Sequence, residues 1–166
     1  MKIAYPAKFE ADDGGRVLVT FRDFPEAATD GADLTEAWQE AIDLLDSTLM
    51  FRMKYREDIP RPSRTQKGEV VVTPDVGVSM KIALYVTMQE TKITPAELTR
   101  RLAVDNREMQ RILNPYHATK TTRMSEAIAA AGRRTSIELL PALPAMVAAE
   151  KPARKKRTRA KRVKAA

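Results

Sequence analysis

The chain of 166 residues contains no cysteine and a single histidine, His117. The first absence excludes disulfides and thiolate zinc sites. The second leaves no His pair for a metal and no His–Cys dyad. Long apolar runs are missing as well: nothing approaches the roughly 20 residues that a membrane helix needs. The opening Met1-Lys2-Ile3-Ala4-Tyr5-Pro6 has no apolar signal core. These absences lead us to expect a cytoplasmic protein with no cofactor and no membrane partner. What remains is 43% hydrophobic and 31% charged, a composition that folds and that suffices for one ordinary domain or two small ones.

The net charge of +7 is unevenly placed. Residues 1–66 carry 9 basic and 13 acidic side chains, residues 67–150 carry 11 and 9, and residues 151–166 carry nine basic and none acidic. The chain therefore runs from acidic through mildly basic to strongly basic. Such a gradient suits one half to a basic partner and the other to nucleic acid.

Residues 1–66 read as a small α+β unit. Ile3–Ala11 alternates loosely; Asp12-Asp13-Gly14-Gly15 is a hairpin turn signal, because glycine tolerates positive φ. Arg16–Phe21 is a second strand, Asp23-Phe24-Pro25 breaks it, and Ala28-Thr29 starts a short third strand before Gly31. Asp33 is an N-cap with Glu36 three residues on. Leu34, Ala37, Trp38, Ala41, Leu44, Leu45, Thr48 and Leu49 then recur at helical spacing and form a core stripe. Asp58–Ser63 ends that helix, and residues 69–74 read as a closing strand. The order β-β-β-α-β places one helix on one sheet. Asp12, Asp13, Asp23, Asp43 and Asp46 are too scattered to be read as a two-metal nuclease site, which needs converging carboxylates. Turn formers and a solvated helix face account for them, and we expect no enzyme.

Residues 75–140 read as all-α with one short strand. Val78–Glu90 is a helix with Ser79 as its N-cap. Thr94-Pro95-Ala96-Glu97 combines an N-cap Thr, Pro at N1 and Glu at N3. Leu98 and Leu102 give that helix its apolar face, Ala103-Val104 makes a tight turn, and Asp105 caps a second helix running to about Leu113. Val104, Met109 and Ile112 fill the angle between the two. This is helix-turn-helix spacing, although Ala103 stands where glycine is usual and Thr99 where alanine is usual. A helical hairpin in a small bundle has the same apolar spacing. In a helix-turn-helix the second helix enters the major groove, and its outward residues are Asn106, Arg107, Gln110 and Arg111. Arginine forks to guanine, and Asn or Gln pairs with adenine. Thr94, Thr119, Lys120 and Arg123 are candidate phosphate contacts, which set register rather than sequence preference. Met124–Ala131 is a further helix closed by Gly132, and Thr135–Leu140 is β-leaning.

Several of these motifs, in this order, resemble the HicB antitoxin family. They are the strand–DDGG–strand hairpin with Asp23-Phe24-Pro25, the helix start Gly31-Ala32-Asp33-Leu34 with Glu36 and Ala37, and the exit Ile59-Pro60-Arg61-Pro62-Ser63. Asn114-Pro115-Tyr116-His117-Ala118-Thr119-Lys120 resembles the segment after the second helix in members with a helix-turn-helix. The family's usual Gly-Cys after the D-F-P triplet is Glu26-Ala27 here. The resemblance covers about residues 1–140. It implies a partial RNase H-like domain at 1–66 that binds a small HicA-like mRNA-cleaving toxin, with Asp12, Asp23, Phe24 and Glu26 as candidate contacts. It also implies a second domain at 75–140 that binds operator DNA and assembles as a homodimer or higher even-numbered oligomer.

Residues 141–166 form the last segment. A Pro/Ala-rich linker leads to Arg154, Lys155, Lys156, Arg157, Arg159, Lys161 and Arg162, a run with almost no packing residues. It is expected to be disordered alone and to suit phosphate backbone without sequence preference. A ligand-responsive transcription regulator without a toxin partner is the alternative reading of the whole chain.

Overall fold

The computed structural model of the protein describes residues 2–141 and Pro144; the basic run expected to contact nucleic acid lies outside them. The amino-terminal part is an antiparallel sheet covered by one long helix. Strands β1 (Tyr5–Ala11), β2 (Val17–Phe21), β3 (Phe24–Gly31) and β4 (Glu69–Val72) lie in the order β3-β2-β1-β4. The β1–β2 turn closes through Asp12, whose main-chain N–H donates to the Arg16 carbonyl (2.8 Å) and whose carboxylate accepts from the Arg16 N–H (2.8 Å). Gly15 in that turn has φ of 79°, in the region that favours glycine.

The third strand is longer than expected and starts earlier. Asp23-Phe24-Pro25 does not separate two strands: the reversal is at Arg22-Asp23, Phe21 pairs with Phe24, and Phe24-Pro25 already belong to β3. A proline is tolerated there because β3 is an edge strand, where one row of N–H groups has no ladder partner. At the other end, Gly31 runs so close to the helix that a Cβ would lie 2.6 Å from the Ala37 Cα.

Helix α1 (Leu34–Tyr55) is capped by Asp33, whose carboxylate accepts from the Glu36 N–H at 2.9 Å, while Glu36 reaches back to the Ala32 N–H. Ala37, Ala41, Leu45, Leu49 and Met53 recur every four residues and are buried against the sheet. Trp38 sits at the rim, half-buried, its ring stacked 5.9 Å from Phe9. The chain returns along residues 56–68, tied down where the Tyr5 hydroxyl donates to the Pro60 carbonyl (3.0 Å) and Arg22 forks onto Glu69 (2.9 and 3.0 Å). Burial pushes the Tyr5 hydroxyl up to about 12. β4 then pairs with β1.

Helix α2 (Val76–Thr91) begins earlier than expected: its N-cap is Asp75, which accepts from the Gly77 N–H at 2.7 Å, and Ser79 lies inside with its hydroxyl donating to the Pro74 carbonyl. α2 serves two cores. Ile82, with Val78, Tyr85 and Val86, packs into the sheet–α1 core. Leu84, with Met80, Ala83 and Met88, packs into a second core built by α3 (Pro95–Leu102), α4 (Asn106–Leu113) and α5 (Thr121–Ala130) around Leu98, Met109, Ile112, Met124 and Ile128. α5 starts at Thr121, one turn before the expected Met124, and ends at Gly132 (φ 99°) with paired closing bonds, Gly132 N–H to Ala129 carbonyl and Arg133 N–H to Ile128 carbonyl.

The strand expected at Thr135–Leu140 does not form: those residues have no regular secondary structure, and Ile137 and Leu139 are 88% and 92% exposed. β-propensity is realised only where a neighbouring strand supplies a ladder, and none lies beside this segment. Among the described residues no helix is long and apolar enough to cross a membrane.

Candidate nucleic-acid interface

The angle between α3 and α4 is set locally. Thr94 caps α3 by accepting from the Glu97 N–H (3.2 Å), and Asp105 caps α4 by accepting from the Glu108 N–H (2.7 Å). Between them Ala103 adopts φ 50°, ψ 43°, the left-handed conformation in which glycine is least strained. Leu98, Met109 and Ile112 face inward. Asn106, Arg107, Gln110 and Arg111 are all exposed on the opposite face of α4. No hydrogen bond or ion pair engages any of these four side chains within the described residues, whereas three nearby arginines are paired with carboxylates. Arg100 and Arg101 pair with Glu97, and Arg123 pairs with both Glu108 and Glu126. A charged head without an intramolecular partner is free to meet a ligand.

The residues expected to hold phosphate separate into two groups. Lys120 is exposed and has no ion pair among the described residues, and it leads into α5, whose N-terminus has no side-chain cap. The other three have intramolecular duties: the Thr94 hydroxyl caps α3, Arg123 bridges α4 to α5, and the Thr119 hydroxyl accepts from Lys81 Nζ at 2.9 Å. His117 lies beside Thr119, its Nδ1 at 3.2 Å from that hydroxyl. Together α4, this loop and the start of α5 line a depression of about 530 Å³ with Arg107, Arg111, His117, Thr119 and Lys120 on its wall.

The expected toxin-contact residues fare differently. Phe24 is corrected outright: it is 0% exposed, with its ring 4.8 Å from Tyr5 and the Arg52 guanidinium 5.3 Å from its centroid, so it is a core residue. Asp23 holds the return segment by accepting from the Ser63 N–H (2.9 Å) and hydroxyl. Asp12 closes the hairpin, and Glu26 is exposed and paired with Arg52, which holds its carboxyl below the usual range. Among the described residues no group of three or more His, Asp or Glu is placed to hold a metal ion.

A further exposed surface was not anticipated. On the outer side of α1, Phe51 and Tyr55 are 50% and 56% exposed with rings 4.5 Å apart. Lys54 lies 5.3 Å from the Tyr55 ring centroid and 5.6 Å from that of Tyr116, itself exposed in the loop after α4. A hollow of about 370 Å³ next to Phe51 is lined by Glu26 and Glu57. Two aromatics four residues apart on an exposed helix face were a readable signal.

Residues 4–83 match the family of HicB-like antitoxins of bacterial toxin–antitoxin systems. The chain is 38% identical to Antitoxin HicB 2 of Photorhabdus laumondii over 133 residues, which is 80% of this chain and 94% of that protein. It is 31% identical to Antitoxin HicB of Escherichia coli K12 over 136 residues, 82% of this chain and 99% of that protein. Antitoxin HicB of Pseudomonas fluorescens is 28% identical over 124 residues, 74% of this chain and 85% of that protein.

Proposed function

This chain belongs to the HicB-like family of bacterial antitoxins, and we propose that it neutralises a small HicA-like mRNA-cleaving toxin and represses its own operon by binding operator DNA. On this reading the sheet and α1 are a partial RNase H-like unit that binds the toxin, and the protein itself is not an enzyme. α3 and α4 are a helix-turn-helix, α4 its reading helix, and the assembly is an even-numbered homo-oligomer matched to a two-fold operator. The basic residues 154–162 add non-specific phosphate contacts, and the protein works in the cytoplasm.

One observation supports the DNA half above the rest: four side chains suited to base edges share the exposed face of α4 with no partner among the described residues, while Arg101 and Arg123 near them are paired with carboxylates. The test is a titration of the DNA upstream of the gene. Arg107→Ala or Arg111→Ala should cost about 1–3 kcal/mol of affinity wherever the arginine makes a bidentate base contact. Capture of the protein encoded next to the gene should survive both changes. Unchanged upstream-DNA affinity in both variants removes the helix-turn-helix assignment, and absence of any captured toxin leaves the ligand-responsive regulator as the better account.

A further inference from the structure

The C-terminal end of α4 has one backbone closing bond, from the Asn114 N–H to the Gln110 carbonyl (2.9 Å), and none beyond it. α1, α3 and α5 each finish on or next to a residue with positive φ (Arg56, Ala103 and Gly132) that turns N–H groups back onto the last carbonyls. α4 instead ends on Asn114 in extended conformation (φ −75°, ψ 118°). The residue that would donate to the Arg111 carbonyl in a continuing helix is Pro115, which has no N–H. The N–H that would serve the Ile112 carbonyl belongs to Tyr116 and donates to the Asn114 side chain (3.0 Å). Two carbonyls at the negative end of the helix dipole thus lack main-chain donors.

Lys81, reaching across from α2, meets both. Its Nζ lies 3.0 Å from the Arg111 carbonyl, 2.7 Å from the Ile112 carbonyl and 2.9 Å from the Thr119 hydroxyl, so three N–H donors meet three acceptors. The residue is 3% exposed and makes no ion pair among the described residues. A buried ammonium without a carboxylate is costly unless hydrogen bonds replace its water, and here the helix terminus and Thr119 replace it. Burial draws its pKa down to about 8, so the ammonium persists at neutral pH with all three donors.

We propose that Lys81 is a positioning residue for DNA recognition: its ammonium fixes the Arg111 end of α4 and the Thr119–Lys120 loop in a single arrangement. This rests on the reading of α4 as the DNA-reading helix. Lys81 need not touch DNA. Without it, two carbonyls and the Thr119 hydroxyl lose their common donor, the last turn of α4 frays, and Arg111 and Lys120 no longer keep one spacing. Phosphate and base contacts depend on that spacing for register.

The experiment compares the full-length protein with Lys81→Met, which keeps the unbranched side chain up to its ε position without the ammonium and its donors. Two duplexes of equal length are titrated, one from immediately upstream of the gene and one with the same bases scrambled, and toxin capture and melting temperature are read alongside. The expected result is a loss of about tenfold or more on the upstream duplex, with scrambled-duplex affinity and toxin capture unchanged. Adding Pro115→Ala to Lys81→Met restores a main-chain donor for the Arg111 carbonyl and should recover part of the upstream affinity. Unchanged upstream affinity in Lys81→Met overturns the proposal, as does an equal loss on both duplexes and on toxin capture, which marks a purely structural lysine. Should Lys81→Met not fold, Lys81→Gln, whose shorter and uncharged side chain cannot serve all three acceptors, is judged by the same outcomes. A wild-type protein that does not prefer the upstream duplex removes the DNA reading itself, and this assignment falls with it.

Discussion

At the scale of single residues, several ionisable groups carry structural duties that depend on their protonation. Asp46, half-buried where α1 meets α2, accepts from the Asp75 N–H at 3.0 Å, yet burial pushes its carboxyl up to about 6 against that bond. The folded chain therefore holds this proton more tightly than the unfolded chain does, whose value is 3.8. The stabilisation from the bound proton is complete below pH 3.8 and is lost as the pH rises through about 6. Asp46→Asn keeps an oxygen acceptor for the Asp75 N–H and carries no charge at any pH. It should raise stability at pH 7 by up to about 1 kcal/mol, allowing for solvent at a half-buried site, and leave it unchanged at pH 4. Urea unfolding at the two pH values measures both. A variant less stable than wild type at pH 7 shows that the charged carboxylate is the form the fold needs.

Among the elements, α1 combines a buried stripe facing the sheet with an outer face whose aromatics stay half exposed. That face runs from Asp43, held by Gln39, to the Phe51–Tyr55 pair, with Glu26 and Glu57 beside it. Exposed aromatics flanked by charges of both signs, Glu57 and Lys54, suit a protein partner. Phe51→Ala together with Tyr55→Ala should weaken toxin capture by about 2 kcal/mol or more, as at the centre of an interface, and leave thermal stability within about 0.5 kcal/mol. Calorimetric titration with the purified toxin and a melt of the variant read the two quantities. Undiminished capture places the toxin elsewhere, the open face of the sheet being the next surface to test. The elements themselves were legible where their signals are local: Asp33, Thr94 and Asp105 cap the helices that follow them, and the α1 stripe has helical spacing. Signals failed where a distant element decides. The start of α2 escaped because both sides of that helix are covered by apolar cores, which blurs its periodicity. Pro25 belongs in a strand because β3 is an edge, a fact of sheet order rather than of the local residues. Thr135–Leu140 has the composition of a strand without the neighbour that would make it one. Four polar residues on α4 were readable as a face, but Lys81 was not, since the carbonyl it serves lies 30 positions away.

In the whole molecule the decisive element is α2, which gives Ile82 to the sheet–α1 core and Leu84 to the α3–α5 core, both 0% exposed. The two side chains are two positions apart, on opposite sides of one helix. Unfolding either core exposes one flank of α2, and a 16-residue helix with half its partners gone is marginal in water. The second core is small and cannot compensate from within. Its α4 is eight residues long and ends on bonds from Lys81, itself on α2. The cores should therefore melt together. Ile82→Ala and Leu84→Ala each remove a fully buried aliphatic side chain and should each cost about 2–5 kcal/mol. Both should lower one shared transition rather than split it. Trp38, stacked on Phe9 in the first core, reports that core by fluorescence, and the helical far-ultraviolet signal reports both, through the 22-residue α1 in the first and α3, α4 and α5 in the second. In Leu84→Ala the two signals should still coincide, although the substitution lies wholly in the other core. A Trp38 transition that stays at its wild-type temperature while the helical signal falls earlier makes the halves independent domains. Coincident transitions make α2 the piece through which the sheet–α1 core and the α3–α5 core share one folded state.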